Sequence, residues 1–177
     1  MYEQNIFSLV AKAMIIKKKN CMEEHKKFMR IAIDLANNNI NDGGGPFAAV
    51  VVKGEEIVGK GVNQVTNLND PTAHAEMLAI REAAAHLKSY DLSKCILYTS
   101  CEPCPMCMGA IYWSRISTLY FGNNKEDAAQ IDFDDAFIYK ELNLPSEKRS
   151  VVMKPLLREE AIYTFNEWQK MSSKIKY

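Results

Sequence analysis

Pro71-Thr72-Ala73-His74-Ala75-Glu76 and Cys101-Glu102-Pro103-Cys104-Pro105-Met106-Cys107 are the two stretches on which the architecture turns. Each reads as the beginning of a helix. In the second, a short apolar strand at residues 95–99 runs into a helix opened by Pro103 or Cys104 and lasting to about Trp113. Proline suits a first turn because the N–H it lacks would have had no partner there. Cys104 and Cys107 stand at i and i+3, on one face of that helix start. There the helix dipole favours thiolates. In the first stretch, residues 72–87 read as a helix, with Met77, Leu78, Ile80, Arg81 and Ala84 consistent with one buried face. His74 lies near its start. Two helix starts meeting over one zinc would supply His74, Cys104 and Cys107 as ligands. Three protein ligands leave the fourth tetrahedral position open to water, which separates a catalytic zinc from a structural one.

Glu76 is the remaining member of the first stretch. Neighbours at i and i+2 do not face each other on a regular helix, so periodicity alone does not carry Glu76 to the metal. A bend at the helix start is required. The competing arrangement uses Cys101, since Cys101, Cys104 and Cys107 are spaced C-x-x-C-x-x-C. With His74 they could close a Cys₃His site of purely structural zinc. Against it, Cys101 precedes the helix turn, and Glu76 would have no role. Glu102 reads as a helix-start carboxylate satisfying backbone N–H groups. Cys95 reads as a core thiol.

Outward from these stretches the pattern alternates. Residues 23–39 carry Phe28, Met29, Ala32, Leu35 and Ala36 at helical spacing. Asn41-Asp42-Gly43-Gly44-Gly45-Pro46 breaks that helix. The β-branched run at 47–52, the turn Lys53-Gly54-Glu55 and a second strand at 57–65 form a hairpin, and 67–71 is a turn. A strand is expected at 118–121, a helix at 135–142, an extended piece at 151–153, and a helix at about 159–172 with Ile162, Phe165 and Trp168 on one side. Strands separated by helices imply a largely parallel region with an antiparallel hairpin at its edge, in a three-layer α/β/α sandwich.

The bulk properties fit one globular domain. The chain has 177 residues, 47% of them hydrophobic and 25% charged, with 22 basic and 22 acidic side chains. A protein gripping a long nucleic acid usually carries a basic patch or stripe, so the neutral balance favours a small substrate over nucleic acid. The basic run Lys17-Lys18-Lys19 lies near the amino terminus. The apolar stretch at 6–16 precedes its lysines, the reverse of a secretory leader, and is too short to span a membrane. The expectation is a cytoplasmic protein with reduced thiols, in which closely spaced cysteines suggest metal rather than disulfide. Residues 1–21 differ in composition from the rest and are expected to be an extension, with Met22 an alternative translation start; residues 22–177 are expected to form one domain.

The His-x-Glu and Pro-Cys-x-x-Cys pairing resembles zinc-dependent deaminases of the cytidine-deaminase superfamily. The wider match resembles the bacterial guanine deaminases of that superfamily. It runs through Gly44-Gly45-Pro46-Phe47, Gly61-Val62-Asn63, Asn69-Asp70-Pro71, residues 95–100, Gly109-Ala110-Ile111-Tyr112-Trp113 and Phe133-Asp134-Asp135, and includes a carboxy-terminal tyrosine. The resemblance implies a mixed five-stranded sheet and hydrolysis of guanine to xanthine and ammonia. It implies one zinc per subunit held by His74, Cys104 and Cys107, with Glu76 shuttling protons. Asn63 and backbone near Ala75 would hold the purine, Asp135 would be a second proton handler reading its polar edge, and Phe47 and Trp113 would be aromatic walls. It implies a homodimer whose segment at about 156–177 crosses over, so that Tyr177 seals the partner's site. The nearest alternatives are deamination of adenosine in tRNA or of cytosine or a related base. An alternative of another class is a non-catalytic module stabilised by zinc.

Overall fold

A computed structural model describes residues 2–176, with side chains described from Cys21 onward. Tyr177 and most of the expected extension at 1–21 therefore lie outside the described side chains. Within 2–176 two compact units separate at Asp134/Asp135.

The first unit is a four-stranded sheet between helices. Helix α1 (Tyr2–Asn41) leads into the hairpin β1 (Ala48–Lys53) and β2 (Glu56–Val62). A short α2 (Val65–Leu68), α3 (Ala75–Leu87), β3 (Ile96–Cys101), α4 (Pro105–Trp113), β4 (Thr118–Asn123) and α5 (Lys125–Ala129) follow. The strand order is β2-β1-β3-β4. β1 is antiparallel to both neighbours, and β3 is parallel to β4. The hairpin therefore does not sit wholly at an edge: its first strand lies inside the sheet. This explains why Ala48, Ala49, Val50, Val51 and Val52 form one unbroken apolar run, as a strand covered on both faces must.

Alternation along the strands sorts the core into two layers. Val50, Val52 and Tyr98 face α1 and meet Phe28 and Ala32. Ala49, Val51, Val58 and Leu97 face the other side, with Ala75, Ala79, Ala83 and Ile111 of α3 and α4. Burying apolar surface on both faces is the main favourable term in this architecture, at roughly 25 cal/mol per Å². The expected α/β/α sandwich with a mixed sheet is present, with four strands rather than five. Residues 151–153 form no ladder, and Val151 and Val152 are exposed.

Helix α3 lies unusually close to β2. A Cβ on Gly61 would fall 2.1 Å from the Ala75 carbonyl oxygen and 2.6 Å from the Ala79 nitrogen. A Cβ on Gly59 would fall 2.3 Å from the Ala79 oxygen and 2.7 Å from the Ala83 nitrogen. Two glycines on one strand face and three alanines at four-residue spacing let backbone touch backbone. The start of α3 is thereby pressed onto the end of β2.

The second unit, residues 135–177, contains α6 (Ala136–Asn143), a 3-10 turn (Ser146–Lys148) and α7 (Arg158–Lys170). Glu141 accepts bonds from Ser150 N and Oγ at 2.7 and 2.9 Å, and Arg149 donates to the Leu142 and Leu144 carbonyls, which closes the loop onto α6. No helix among the described residues is long and apolar enough to cross a membrane.

Candidate metal centre

Both cluster-bearing helices begin at one end of the sheet, beside the carboxyl ends of β2, β3 and β4. That is the end where α/β sheets commonly open a crevice. His74 is the residue just before α3 and Cys104 the residue just before α4. His74 has φ −71° and ψ 154°, and Cys104 has φ −65° and ψ 169°. Both backbones are extended, as is usual for the residue that precedes a helix. Cys107 is the third residue of α4, and side chains at these two positions lie side by side, as in a capping box.

His74 is set by the loop ahead of it. Asp70 Oδ1 accepts from Thr72 N at 2.8 Å and from Thr72 Oγ1 at 2.7 Å. Those bonds hold the Asp70 carboxyl below its usual pKa. Gln64 N donates to the Ala73 carbonyl at 3.0 Å, tying this loop to the end of β2. The regular helix thus starts at Ala75 rather than Thr72.

The extended geometry of His74 also answers the question raised by Glu76. Only Glu76 is on the helix proper, so the i, i+2 opposition of a regular helix does not apply. Its side chain enters the cluster and is 6% exposed. Glu76 Oε1 accepts from Thr99 Oγ1 at 2.9 Å, and Oε2 lies 3.4 Å from Cys107 Sγ. Thr99 shares the β3 face of Leu97, toward α3, so the sheet itself anchors the carboxyl. Burial pushes the Glu76 pKa upward, partly offset by the bond from Thr99. Burial of this kind favours the protonated carboxyl more than exposure to water would.

His74 Nδ1 lies 3.5 Å from Cys104 Sγ and 3.6 Å from Cys107 Sγ. All three ligand atoms are within 4.8 Å of one another. A tetrahedral zinc with ordinary Zn–N and Zn–S bonds would hold N and S about 3.5 Å apart, so the donors already stand at coordinating separation. Two sulfurs and an imidazole are also a donor set that suits zinc. The electrostatics agree. The neighbouring Cys107 thiol and then His74 pull the Cys104 pKa down to about 4, while the proximity of Cys104 and burial drive Cys107 upward. His74 is raised by its bond to Cys104. A second thiolate in this spot is unfavourable until a cation offsets the charge.

Cys101 does not join them. It is buried and donates a long S–H bond of 3.6 Å to the Asn124 carbonyl. Burial raises its pKa to about 11, which suits a structural thiol rather than a ligand. Among the described residues the metal-competent group is His74, Cys104 and Cys107, and a closed Cys₃His site is not formed.

The other expected site residues divide by location. Ala75 is fully buried against Gly61. Asn63 follows β2, and its N–H donates to the Phe47 carbonyl at 2.9 Å. Phe47 packs edge-on to Phe133 with ring centroids 4.9 Å apart. Trp113 ends α4 and is 70% exposed. Asp135 precedes α6 in the second unit. Tyr177 lies outside the described residues. Sequence reasoning missed the role of Thr99, since a threonine in a strand is ordinary and only the fold aims its hydroxyl at Glu76.

Residues 22–123 match the cytidine and deoxycytidylate deaminase zinc-binding region. The chain belongs to this zinc-dependent deaminase family. Within it, a guanine deaminase of Bacillus subtilis (strain 168) is 47% identical over 154 residues, covering 86% of this chain and 99% of its own length. An X-ray structure of guanine deaminase from Bacillus subtilis superposes with a TM-score of 0.84, covering 86% of this chain and 98% of that one. A tRNA-specific adenosine deaminase of Buchnera aphidicola subsp. Schizaphis graminum is 40% identical over 126 residues, 71% of this deaminase and 83% of its own length. A guanine deaminase from Nitrosomonas europaea superposes with a TM-score of 0.58 at 37% identity, covering 61% of this chain and 63% of that one. The non-catalytic zinc module is therefore set aside.

Proposed function

We propose that this deaminase hydrolyses guanine to xanthine and ammonia. The observation that carries the reaction type is the buried Glu76 carboxyl, anchored by Thr99 at 2.9 Å beside the three donors and separate from them. Guanine as the substrate is supported by the likeness to the Bacillus subtilis enzyme, which spans nearly all of that protein.

His74, Cys104 and Cys107 would hold zinc. Bound there, zinc supplies Lewis acidity that brings the pKa of water to about 7, so that an oxygen nucleophile is available at neutral pH. Glu76 takes the proton of the attacking water and delivers it to the ring nitrogen. A further proton passes through the same carboxyl to the departing amine, which leaves as ammonia while oxygen remains on the ring carbon. Holding one carboxyl in reach of all three positions contributes roughly 10²–10⁴-fold. Asn63 hydrogen-bonds the base together with backbone at Ala75. Asp135 is the second proton handler and reads the base edge. Phe47 and Trp113 supply aromatic surface.

We further infer a homodimer in which the segment at about 156–177 crosses over and Tyr177 closes the partner's site. Support comes from apolar side chains that stay exposed in the single chain, among them Phe137, Leu156 and Phe165 of the second unit and Tyr112 of α4. A cytoplasmic setting is supported by five free cysteines.

The test incubates purified protein separately with guanine, adenine, cytosine and a tRNA anticodon stem, and measures ammonia. Release from guanine well above the others is expected. Faster release from the anticodon stem would favour the adenosine reading instead.

A further inference from the structure

The C-terminal end of α1 holds a buried amide that the proposed chemistry does not use. Asn39 is 3% exposed. Its Nδ2 donates to the carbonyls of Gly45 and Asn63, both at 2.8 Å, and its Oδ1 accepts from Gln64 Nε2 at 3.0 Å. Both N–H groups and the carbonyl oxygen are engaged. One side chain therefore joins three pieces of backbone: the end of α1, the loop entering β1 and the loop leaving β2.

The surrounding glycines are shaped to this amide. A Cβ on Gly44 would fall 2.3 Å from Asn39 Nδ2 and 2.7 Å from its Oδ1, so only glycine leaves room for it. A Cβ on Gly45 would stand 3.1 Å from the Asn63 side-chain amide, so Asn63 packs directly against the loop that Asn39 holds. Asn63 itself makes one long side-chain bond, accepting at Oδ1 from Val65 N at 3.4 Å. Its Nδ2 donates to nothing among the described residues, and it is not enclosed without a partner. Asn63 thus has a fixed backbone and an unused donor.

We propose that Asn39 is a positioning residue for base recognition: by clamping the carbonyl of Asn63 and the adjacent Gly45, it holds the Asn63 amide at the angle that presents Nδ2 to the purine. The inference rests on the reading that Asn63 binds the base. Gly44 belongs to the same device, because it makes the space in which the Asn39 amide lies. A helix-end residue that never touches substrate would then set its affinity.

The experiment measures kcat and KM for guanine in the zinc-loaded protein and in Asn63→Ala, Asn39→Asp, Gly44→Ala and the double variant Asn39→Asp/Asn63→Ala. Asn39→Asp keeps the volume and removes both donors. Gly44→Ala keeps the amide and displaces it, which provides a second route if the first variant folds poorly. Either variant is expected to raise KM roughly tenfold, as loss of about one good hydrogen bond would, with kcat within about threefold and zinc content unchanged. The double variant is expected to show no further rise in KM beyond Asn63→Ala, since the clamp has nothing left to aim. Asn39→Asp and Gly44→Ala variants with lowered thermal stability but wild-type KM would overturn the inference while leaving the Asn63 reading intact. An additive rise in the double variant would overturn it too. If Asn63→Ala alone leaves KM unchanged, the reading beneath the inference fails first.

Discussion

Gly61→Ala is the substitution that most sharply probes how the fold aims the site. The new Cβ would sit 2.1 Å from the Ala75 carbonyl oxygen, 2.6 Å from the Ala79 nitrogen and 3.0 Å from Leu78 Cβ. Two of these are backbone atoms and cannot swing aside. Restoring ordinary contact near 3.5 Å requires α3 to withdraw by about 1.4 Å from Gly61 at its first turn. Ala75 lies between His74 and Glu76 in the chain, so both would move with it. Thr99, on β3, would not. The 2.9 Å bond from Thr99 to Glu76 would stretch beyond hydrogen-bonding range. Overpacking of this kind costs about 1–3 kcal/mol, which in a chain of this size lowers Tm by roughly 2–10 °C. A displacement of about 1 Å at a reacting group can cost 10²-fold in rate. Guanine turnover, measured well below the new Tm, should therefore fall by about two orders of magnitude. Gly59→Ala is the internal comparison. It meets the Ala79 oxygen at 2.3 Å, one helical turn farther from His74, and should destabilise as much while lowering activity much less. The reasoning is refuted if Gly61→Ala retains turnover within about threefold of wild type, or if the two variants lose activity equally.

Glu76→Gln should abolish measurable ammonia release while zinc content and thermal unfolding stay near wild type; retained turnover would remove Glu76 as the proton carrier. Thr99→Val should lower kcat about tenfold through loss of one hydrogen bond to a charged group, and Thr99→Ser should restore it; equal activity of the two would show that the hydroxyl is not what holds Glu76. Cys101→Ala should keep both zinc and activity, whereas Cys104→Ala or Cys107→Ala should lose both, as read by metal analysis. Removing the last few residues, Tyr177 included, should slow guanine turnover without changing zinc content.

The metal centre was legible because its spacing is chemical. His74, Cys104 and Cys107 stand where a coordinating imidazole and two thiolates must, and the cluster contains them. The placement of Glu76 was not legible, because it depends on the ψ of 154° at His74, a conformation imposed by the Asp70–Thr72 turn and the Gln64–Ala73 bond. Periodicity describes residues within a helix and not the one before it. The same limit hid Thr99 and Asn39, whose partners are 23 and 24 residues away in sequence, in Glu76 and Asn63. The three-layer arrangement followed from the order of strands and helices along the chain and from helical spacing around Phe28 and Ala32. Strand order did not: the buried centre of the sheet is β1, which hairpin signals alone placed nearer the edge. Short helices also escaped: α2 begins at Val65, where the second strand was expected to end, and runs into the expected turn, and α5 follows an Asn124–Asp127 capping box. The apolar face drawn through Phe165 and Trp168 is 72% and 45% exposed, because helical periodicity marks a face without naming what covers it.

X-ray absorption at the zinc edge of the purified protein tests the central claim most directly. Two sulfurs at about 2.3 Å and two lighter atoms at about 2.0–2.1 Å, one from His74 and one exchangeable, are expected. A third sulfur would restore Cys101 as a ligand, close the fourth position and contradict a hydrolytic centre.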